Sequence, residues 1–322
     1  MFENWDMKKM FIVLIAVVLA FLSIYLFIPS KINFGKVVYI NTNINIANRF
    51  IADEKQWNKW WPADIENGSD SGLIKTKMQF EHKNYLYTIT RKAPEGFTIN
   101  VEKDHDHVTS FLQIISVSPD SVVLTWKSNL PHSINPLRKI SNYLLARKMK
   151  KNMTEIVQSA KSFLESKEKV YGLRIIQEKV KDTLLISTKY SSGNYPSMET
   201  IYNLIKSIKE FISLNGADET NYPMLNINRQ DSVFATMIAI PINKLIPENE
   251  RFVIKKMIPG KILVTEVKGG IHAIEDAFIR VTNYMDDYHL AAPAIHFQSL
   301  VTDRSKEQDT SKWLTKIYFP IY

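Results

Sequence analysis

Between residues 172 and 322 the order of strand-like and helix-like stretches repeats, and a repeat constrains architecture more than any single motif because both copies must adopt one topology. The first copy runs strand TLLISTKY (183–190), turn SSGNY, helix PSMETIYNLIKSIKEFISLNG (196–216), strand MLNINR (224–229) and strand VFATMIAIPI (233–242). The second runs strand KILVTEVK (261–268), turn GGI, helix HAIEDAFIRVTNYMDDYHL (272–290), strand AIHFQSLV (294–301) and strand WLTKIYFPI (313–321). Gly193 and Gly270 fall at the same turn, Pro223 and Pro293 precede the same strand, and AIPI and YFPI close the copies. Two such copies pair into one curved sheet with both helices on one side, a pseudo-twofold duplicated strand-helix-strand-strand domain.

The preceding segment has a different pattern. KVVYINTN (36–43) alternates as a strand does, and NIANRFIADEKQW has the spacing of a short helix. Strand-like runs follow at 73–80, 84–91, 96–103, 107–118 and 121–130, joined by the short polar connections EHK, KAPE and SPDS, which is the pattern of an antiparallel meander. From Ile134 to about Lys169 a long helix is expected, with Ile140, Leu144, Met153, Ile156, Val157, Ala160, Phe163 and Leu164 on its apolar stripe. That stripe must be buried, and the meander offers the surface. Alternation puts Tyr87 beside Tyr85 and Ile89, and Trp126 beside Val122 and Leu124, on faces that can meet the helix.

Half of the six tryptophans stand in KQWNKWWP. They read either as an aromatic platform for a ligand or as a plug that locks the fold. Trp57 and Trp60, three apart, share a face if the short helix continues and read as the lock. Trp61, beside Pro62, reads as a gate to a cavity.

At the start of the chain, MFIVLIAVVLAFLSIYLFI (10–28) has no charge, and as a helix it spans roughly 28 Å, enough for a hydrocarbon core. A cleaved signal peptide is the rival, but the run ends in bulky IYLFIPS rather than a small-x-small site, which favours a single-pass inner-membrane anchor. Lys8 and Lys9 precede the span and Lys31 and Lys36 follow it, so residues 30–322 are expected on the periplasmic side, with the cytoplasmic side as the alternative.

The absence of cysteine removes disulfides, thiolate metal sites and cysteine nucleophiles. A net charge of +8 is spread over the chain as 41 basic residues among 33 acidic ones, and no reading motif accompanies it, so no nucleic acid is expected as a partner. The sequence has no Gly-rich phosphate loop, no GxSxG elbow and no HExxH helix. KDHDHV (103–108), with His105 and His107 on one side of a strand and Glu81 and His82 at the same sheet end, reads as solvated turns with a metal site as the rival; no metal and no cofactor are expected. The basic stretch LRKISNYLLARKMKKNM (137–153) is either the solvated face of the long helix or a dock for anionic lipid.

With strand, small helix, tryptophan-rich turn, meander and final helix in this order, residues 36 to about 167 resemble the helix-grip fold of the START-like (SRPBCC) superfamily. That resemblance implies an apolar cavity between sheet and helix, and binding rather than a particular reaction. Residues 182–322 resemble the GyrI-like, or AraC-type, effector-binding domain, chiefly in the turn before the first helix and in WLTKIYFPI. Members bind amphipathic, often cationic or aromatic, compounds in the groove between the copies, and some relatives hydrolyse small molecules. Many carry an acidic residue near the position of Lys316; lysine here points to an anionic group instead.

The expectation is therefore an α+β chain with a tail and transmembrane helix over 1–30, a helix-grip domain over 31–169 and an effector-binding domain over 170–322. Tyr190, Tyr195, Tyr202, Tyr222, Trp313 and Tyr318, with Glu266 and Lys316 for charge, are candidates to line the second domain's groove; Trp61, Tyr87 and Trp126 are candidates in the first. The expected function is binding or sensing of a small amphipathic or lipid-like ligand at a membrane, without catalysis. The alternatives are a hydrolase or cyclase using Glu266 and a tyrosine, and a non-catalytic scaffold for a membrane complex.

Overall fold

Alternating apolar residues build the first sheet. The computed structural model describes residues 3–62 and 78–322. Residues 73–77 of the expected strand at 73–80, and residues 63–70 after the tryptophan turn, lie outside that range. In the first of two compact units, Met1–Ser166, strands β1 (Ile32–Ile40), β2 (Gln79–His82), β3 (Tyr85–Ala93), β4 (Gly96–Lys103), β5 (Asp106–Ser118) and β6 (Ser121–Leu130) form an antiparallel sheet in the order β1-β6-β5-β4-β3-β2. Lys83 and Asn84, at φ 50° and 60°, supply the left-handed pair of a tight hairpin between β2 and β3. Gly35 in β1 lies where a Cβ would run into the carbonyl oxygen of Trp126, so β1 and β6 approach more closely there than a side chain allows.

The connection after β1 holds α2 (Ile44–Ala47), a π-helical turn (Asn48–Ala52) and a 3₁₀ turn (Glu54–Lys59). Helix α3 (Pro136–Leu164) starts where Asn135 accepts from the backbone N–H groups of Leu137 and Arg138 and Pro136 presets the first turn. It packs against β1 and β6 with Met149, Met153, Ile156, Val157, Ala160, Phe163 and Leu164 buried. Leu144, expected on the stripe, is exposed. At the start of α3, Ile134 just before it and Leu137 in its first turn are 70% and 71% exposed.

All three clustered tryptophans are buried in one aromatic core. Trp57 and Trp61 stack at 5.9 Å, and Trp61 meets Phe80, Tyr87 and Trp126 at 5.0, 5.2 and 6.4 Å between ring centres. Every indole N–H in the group is used: Trp57 donates to the carbonyl of Ile51, Trp60 to that of Phe50, Trp61 to that of Glu81 and Trp126 to the hydroxyl of Ser110. The arrangement is that of packed core side chains with satisfied polar handles.

Helix α1 (Glu3–Phe27) contains a span, Lys9–Phe27, that is long and apolar enough to cross a membrane. Its end is tied to the start of α3: the Tyr25 hydroxyl donates to the carbonyl of Ile134 at 2.8 Å, and Lys139 Nζ lies 4.8 Å from the Tyr25 ring centre.

The second unit, Lys167–Tyr322, opens with α4 (Lys167–Tyr171) and β7 (Ile176–Lys179). It continues with β8 (Leu184–Ser192), α5 (Met198–Leu214), β9 (Met224–Gln230), β10 (Val233–Pro241), β11 (Val253–Lys256), β12 (Lys261–Lys268), α6 (Ile271–Asp287), β13 (Phe297–Leu300) and β14 (Leu314–Ile321). Ser197 caps α5 by accepting from Thr200 N, and Ile201, Ile205, Ile208 and Ile212 recur on its buried face at helical spacing. The eight-stranded antiparallel sheet runs β11-β8-β10-β9-β13-β14-β12-β7. β9 meets β13 in the middle through Leu225 opposite Gln298. At the edges, β7 pairs with β12 and β11 pairs with β8, so each short strand joins the sheet away from its neighbour in sequence.

Candidate functional site

Strand alternation decides which side chains meet the helices. Leu225, Ile238 and Ile240 share a core with the isoleucines of α5, and Gln298 lies opposite Leu225, with Ile317 opposite Gln298. Those residues, and Thr315 and Phe319 by period two, therefore face the helices. Leu185, Met224, Ile262, Val264 and Phe297, with Tyr318 packed against them, form a separate core on the reverse face.

On the helix-bearing face a groove of about 320 Å³ opens over β9 and β13 beside α6. Ile227, Ile271, Ile274, Phe278 and Ile279 give it an apolar wall, and Tyr195, Gln298, His296 and Arg304 bring polar groups to it. A small apolar cleft with a few convergent polar groups is the usual form of a small-molecule site. His296 packs against both Phe278 and Phe319, each 4.9 Å away between ring centres, and burial lowers its pKa below the ordinary histidine value. Burial pushes the Tyr195 hydroxyl up, and the Glu275 carboxylate pushes it the same way.

Arg304 is the group that sequence reasoning missed. It sits in VTDRSKEQDTSKW, which reads as a solvated loop, yet the structure leaves it only 6% exposed. Asp303 sets the local turn by accepting from the N–H and hydroxyl of Ser305, and the backbone N–H of Arg304 donates to the Tyr202 hydroxyl at 2.7 Å. Nη2 donates to Gln298 Oε1 at 3.1 Å and to Thr315 Oγ1 at 2.8 Å, and the guanidinium lies 4.8 Å from the Trp313 ring centre. Nε is buried and has no hydrogen-bond partner among the described residues. Burial lowers the pKa of this guanidinium, opposed by the Tyr202 and Tyr195 hydroxyls.

The sequence-derived candidates divide accordingly. Tyr195 lines the groove, while Tyr202 and Trp313 stand behind it and hold Arg304. Tyr190 and Tyr222 are exposed and are not among the lining residues. Glu266 and Lys316, directly opposite each other on β12 and β14, form an ion pair at 3.1 Å, and strand parity puts them with Tyr318 on the reverse face. The positive group at the groove is thus Arg304, and Lys316 is already matched by Glu266. Trp61, Tyr87 and Trp126 are core residues in contact with one another. In the first unit His82 Nε2 meets Glu155 at 3.0 Å and His107 Nδ1 meets Glu102 at 3.7 Å; among the described residues no group of three or more His, Asp or Glu side chains is placed to hold a metal ion.

No family model matches the sequence, and no curated protein matches it. Among solved structures, the C-terminal domain of EcmrR is similar over 47% of this chain and 98% of its own length, at 15% identity and a TM-score of 0.41. EcmrR in a complex with DNA is similar over 59% of this chain and 72% of its own, at 16% identity and a TM-score of 0.42. A hydrolase from Listeria innocua covers 45% of this chain with 91% of its own, at 8% identity and a TM-score of 0.33. At these levels the likenesses decide neither ligand nor activity, and the chemistry of the groove is what bears on function.

Proposed function

We propose that this chain is a membrane-tethered protein that binds or senses a small amphipathic molecule in the groove of its second unit, without catalysis. The carrying observation is that groove: about 320 Å³, walled by Ile227, Ile274 and Phe278 and reached by Tyr195, Gln298 and Arg304. In this reading the two strand-helix-strand-strand halves are copies of one effector-binding module, and the first unit is a START-like helix-grip domain used as a packed spacer. The non-catalytic reading is supported by Glu266, the base candidate, which is engaged by Lys316 on the reverse face. Native mass spectrometry of the full chain released from gently solubilised membranes tests the binding reading. A co-purifying small molecule whose removal deprotects β9, β13 and α6 in hydrogen exchange supports it. A clean apo mass together with failure of an amphipathic library to protect those elements would sink it.

The tether is α1, with residues after it on the periplasmic side of the inner membrane. The apolar span and the link from Tyr25 to Ile134 support the tether, since they bring exposed Ile134 and Leu137 to the end of the span, and the side rests on Lys8 and Lys9 before it. The chain has no cysteine, so a Ser162→Cys variant carries one thiol on an exposed position of α3. Labelling of intact cells by a membrane-impermeant maleimide, after the outer membrane is permeabilised, is expected. Labelling only after lysis would place the units in the cytoplasm.

A scaffold role is favoured by a separate observation. On the outer face of the first sheet, Tyr39 and Ile115 both lie opposite Val123, and Val37, Tyr39, Ile115 and Val117 are all exposed, which is an apolar strip across three strands. Crosslinking from a photoreactive group at position 37 to a partner in membranes, abolished by Tyr39→Glu and Ile115→Glu together, is the outcome that reading requires.

A further inference from the structure

We infer that the groove of the second unit is built for an organic anion, a carboxylate, phosphate or sulfonate on a small apolar body, with Arg304 as its counter-ion. This inference rests on the reading that the groove binds a small molecule. A guanidinium keeps its charge and has five N–H donors, and buried charges are ordinarily paired with an opposite charge. Arg304 departs from that rule. Its hydrogen-bond acceptors are the neutral Gln298 and Thr315, it forms no ion pair among the described residues, and its buried Nε donates to nothing.

The surroundings do not explain the charge away. Trp313 lies against the guanidinium, and a ring face stabilises a cation without using its N–H edge. Glu275, the one carboxylate among the lining residues, is largely exposed and pairs with His272 one turn away at 3.5 Å. What remains, among the described residues, is a positive edge in a low-dielectric wall with Nε and both Nη1 donors unspent, beside Tyr195, Ile274 and Phe278. An anionic oxygen would complete the donor set by a charge-assisted hydrogen bond, and the apolar wall would take the body attached to it. A volume of about 320 Å³ suits one ring system or one short chain and excludes both tails of a diacyl lipid.

Three probes with one ring system separate charge from shape: 2-naphthoate, 2-naphthalenemethanol and 2-naphthylmethylammonium. They are titrated by calorimetry into the full chain in zwitterionic nanodiscs. Naphthoate is expected to bind at least about tenfold more tightly than the ammonium, the worth of one charge-assisted hydrogen bond, and Arg304→Gln is expected to erase that preference while sparing the alcohol. In the wild-type chain, which needs no variant to fold, naphthoate should shift the Arg304 Nε resonance and the alcohol should not. Equal binding of all three probes in the groove, or a preference for the ammonium, overturns the anion assignment and leaves the groove a ligand site. Failure of all three to protect β9, β13 and α6 overturns the binding reading and this inference together. If anionic lipid in the nanodisc displaces naphthoate, the anion comes from a headgroup; if it does not, the anion is a soluble molecule. Both results support the assignment.

Discussion

The Tyr202 hydroxyl accepts the backbone N–H of Arg304 at 2.7 Å, so a residue in helix α5 sets the position of a cation in the last long loop of the second unit. Tyr202 also donates toward the carbonyl of Thr302 at 3.4 Å. Tyr202→Phe keeps the ring and leaves both loop groups without their partner. It should cost about 1 kcal/mol in chemical denaturation, the usual worth of one such bond. It should also raise amide exchange across residues 302–305. Unchanged exchange there would mean that the loop holds Arg304 by itself.

The Trp61 indole distinguishes a gate from a lock. Its N–H donates to the Glu81 carbonyl at 2.8 Å while the ring packs against Phe80 and Tyr87. Trp61→Phe should destabilise the first unit by about 1–3 kcal/mol through the orphaned carbonyl and the lost ring area, and Trp57→Ala by about 3–5 kcal/mol. Neither should change ligand binding in the second unit. A Trp61→Phe chain of unaltered stability with new affinity for apolar ligands would restore the gate.

Acid should weaken the first unit through Glu155. This carboxylate accepts from Lys83 Nζ at 2.7 Å and meets His82 Nε2 at 3.0 Å. Partial burial alone would raise its pKa, but the hydrogen bonds from Lys83 and His82 outweigh that effect and hold it below the ordinary value. The folded pKa is therefore the lower one, and the unfolded chain binds more protons in the interval between the two. The stabilisation is complete above the unfolded pKa and is lost as the pH falls through the folded one. Melting curves should show the wild type above Glu155→Gln at neutral pH, with the gap closing as the pH falls below about 5. A gap that widens on acidification contradicts the assignment.

The Glu266–Lys316 pair is a cross-strand ion pair on the reverse face, with Glu266 58% exposed. Exposed pairs of this kind contribute about 1 kcal/mol or less. Lys316→Met should therefore lower stability by no more than that and leave the affinity of groove ligands unchanged in calorimetry. A large loss of ligand affinity would move the binding site to the other side of the sheet.

Periodicity made most of the architecture readable before any coordinates. Helices α3, α5 and α6 and the longer strands of the second unit announce themselves through isoleucine spacing, alternation and turn residues. Strands β7 and β11 do not, because IQEK and VIKK are short, mostly exposed edges whose identity comes only from the strands they join. The site was harder still. Alternation shows that Lys316 and Tyr318 share a face and that Thr315 takes the other, but which face meets α5 and α6 is decided by packing. Arg304 carries no local signal at all: its burial is created by Tyr202 and Trp313, remote from it or across a loop, and its neighbours in sequence are polar.

The exchanged edge strands set a timetable for assembly. Because β7 waits for β12 and β11 completes the sheet beside β8, neither half of the second unit can finish its own hydrogen-bonded border from residues made at the same time. The pairings span long stretches of chain, so loop closure must precede the contacts that reward it, and the unit should fold slowly and in one step rather than half by half. An intermediate still lacking Val253–Lys256 would expose the outer edge of β8, which makes that edge the one most open to pairing with another chain.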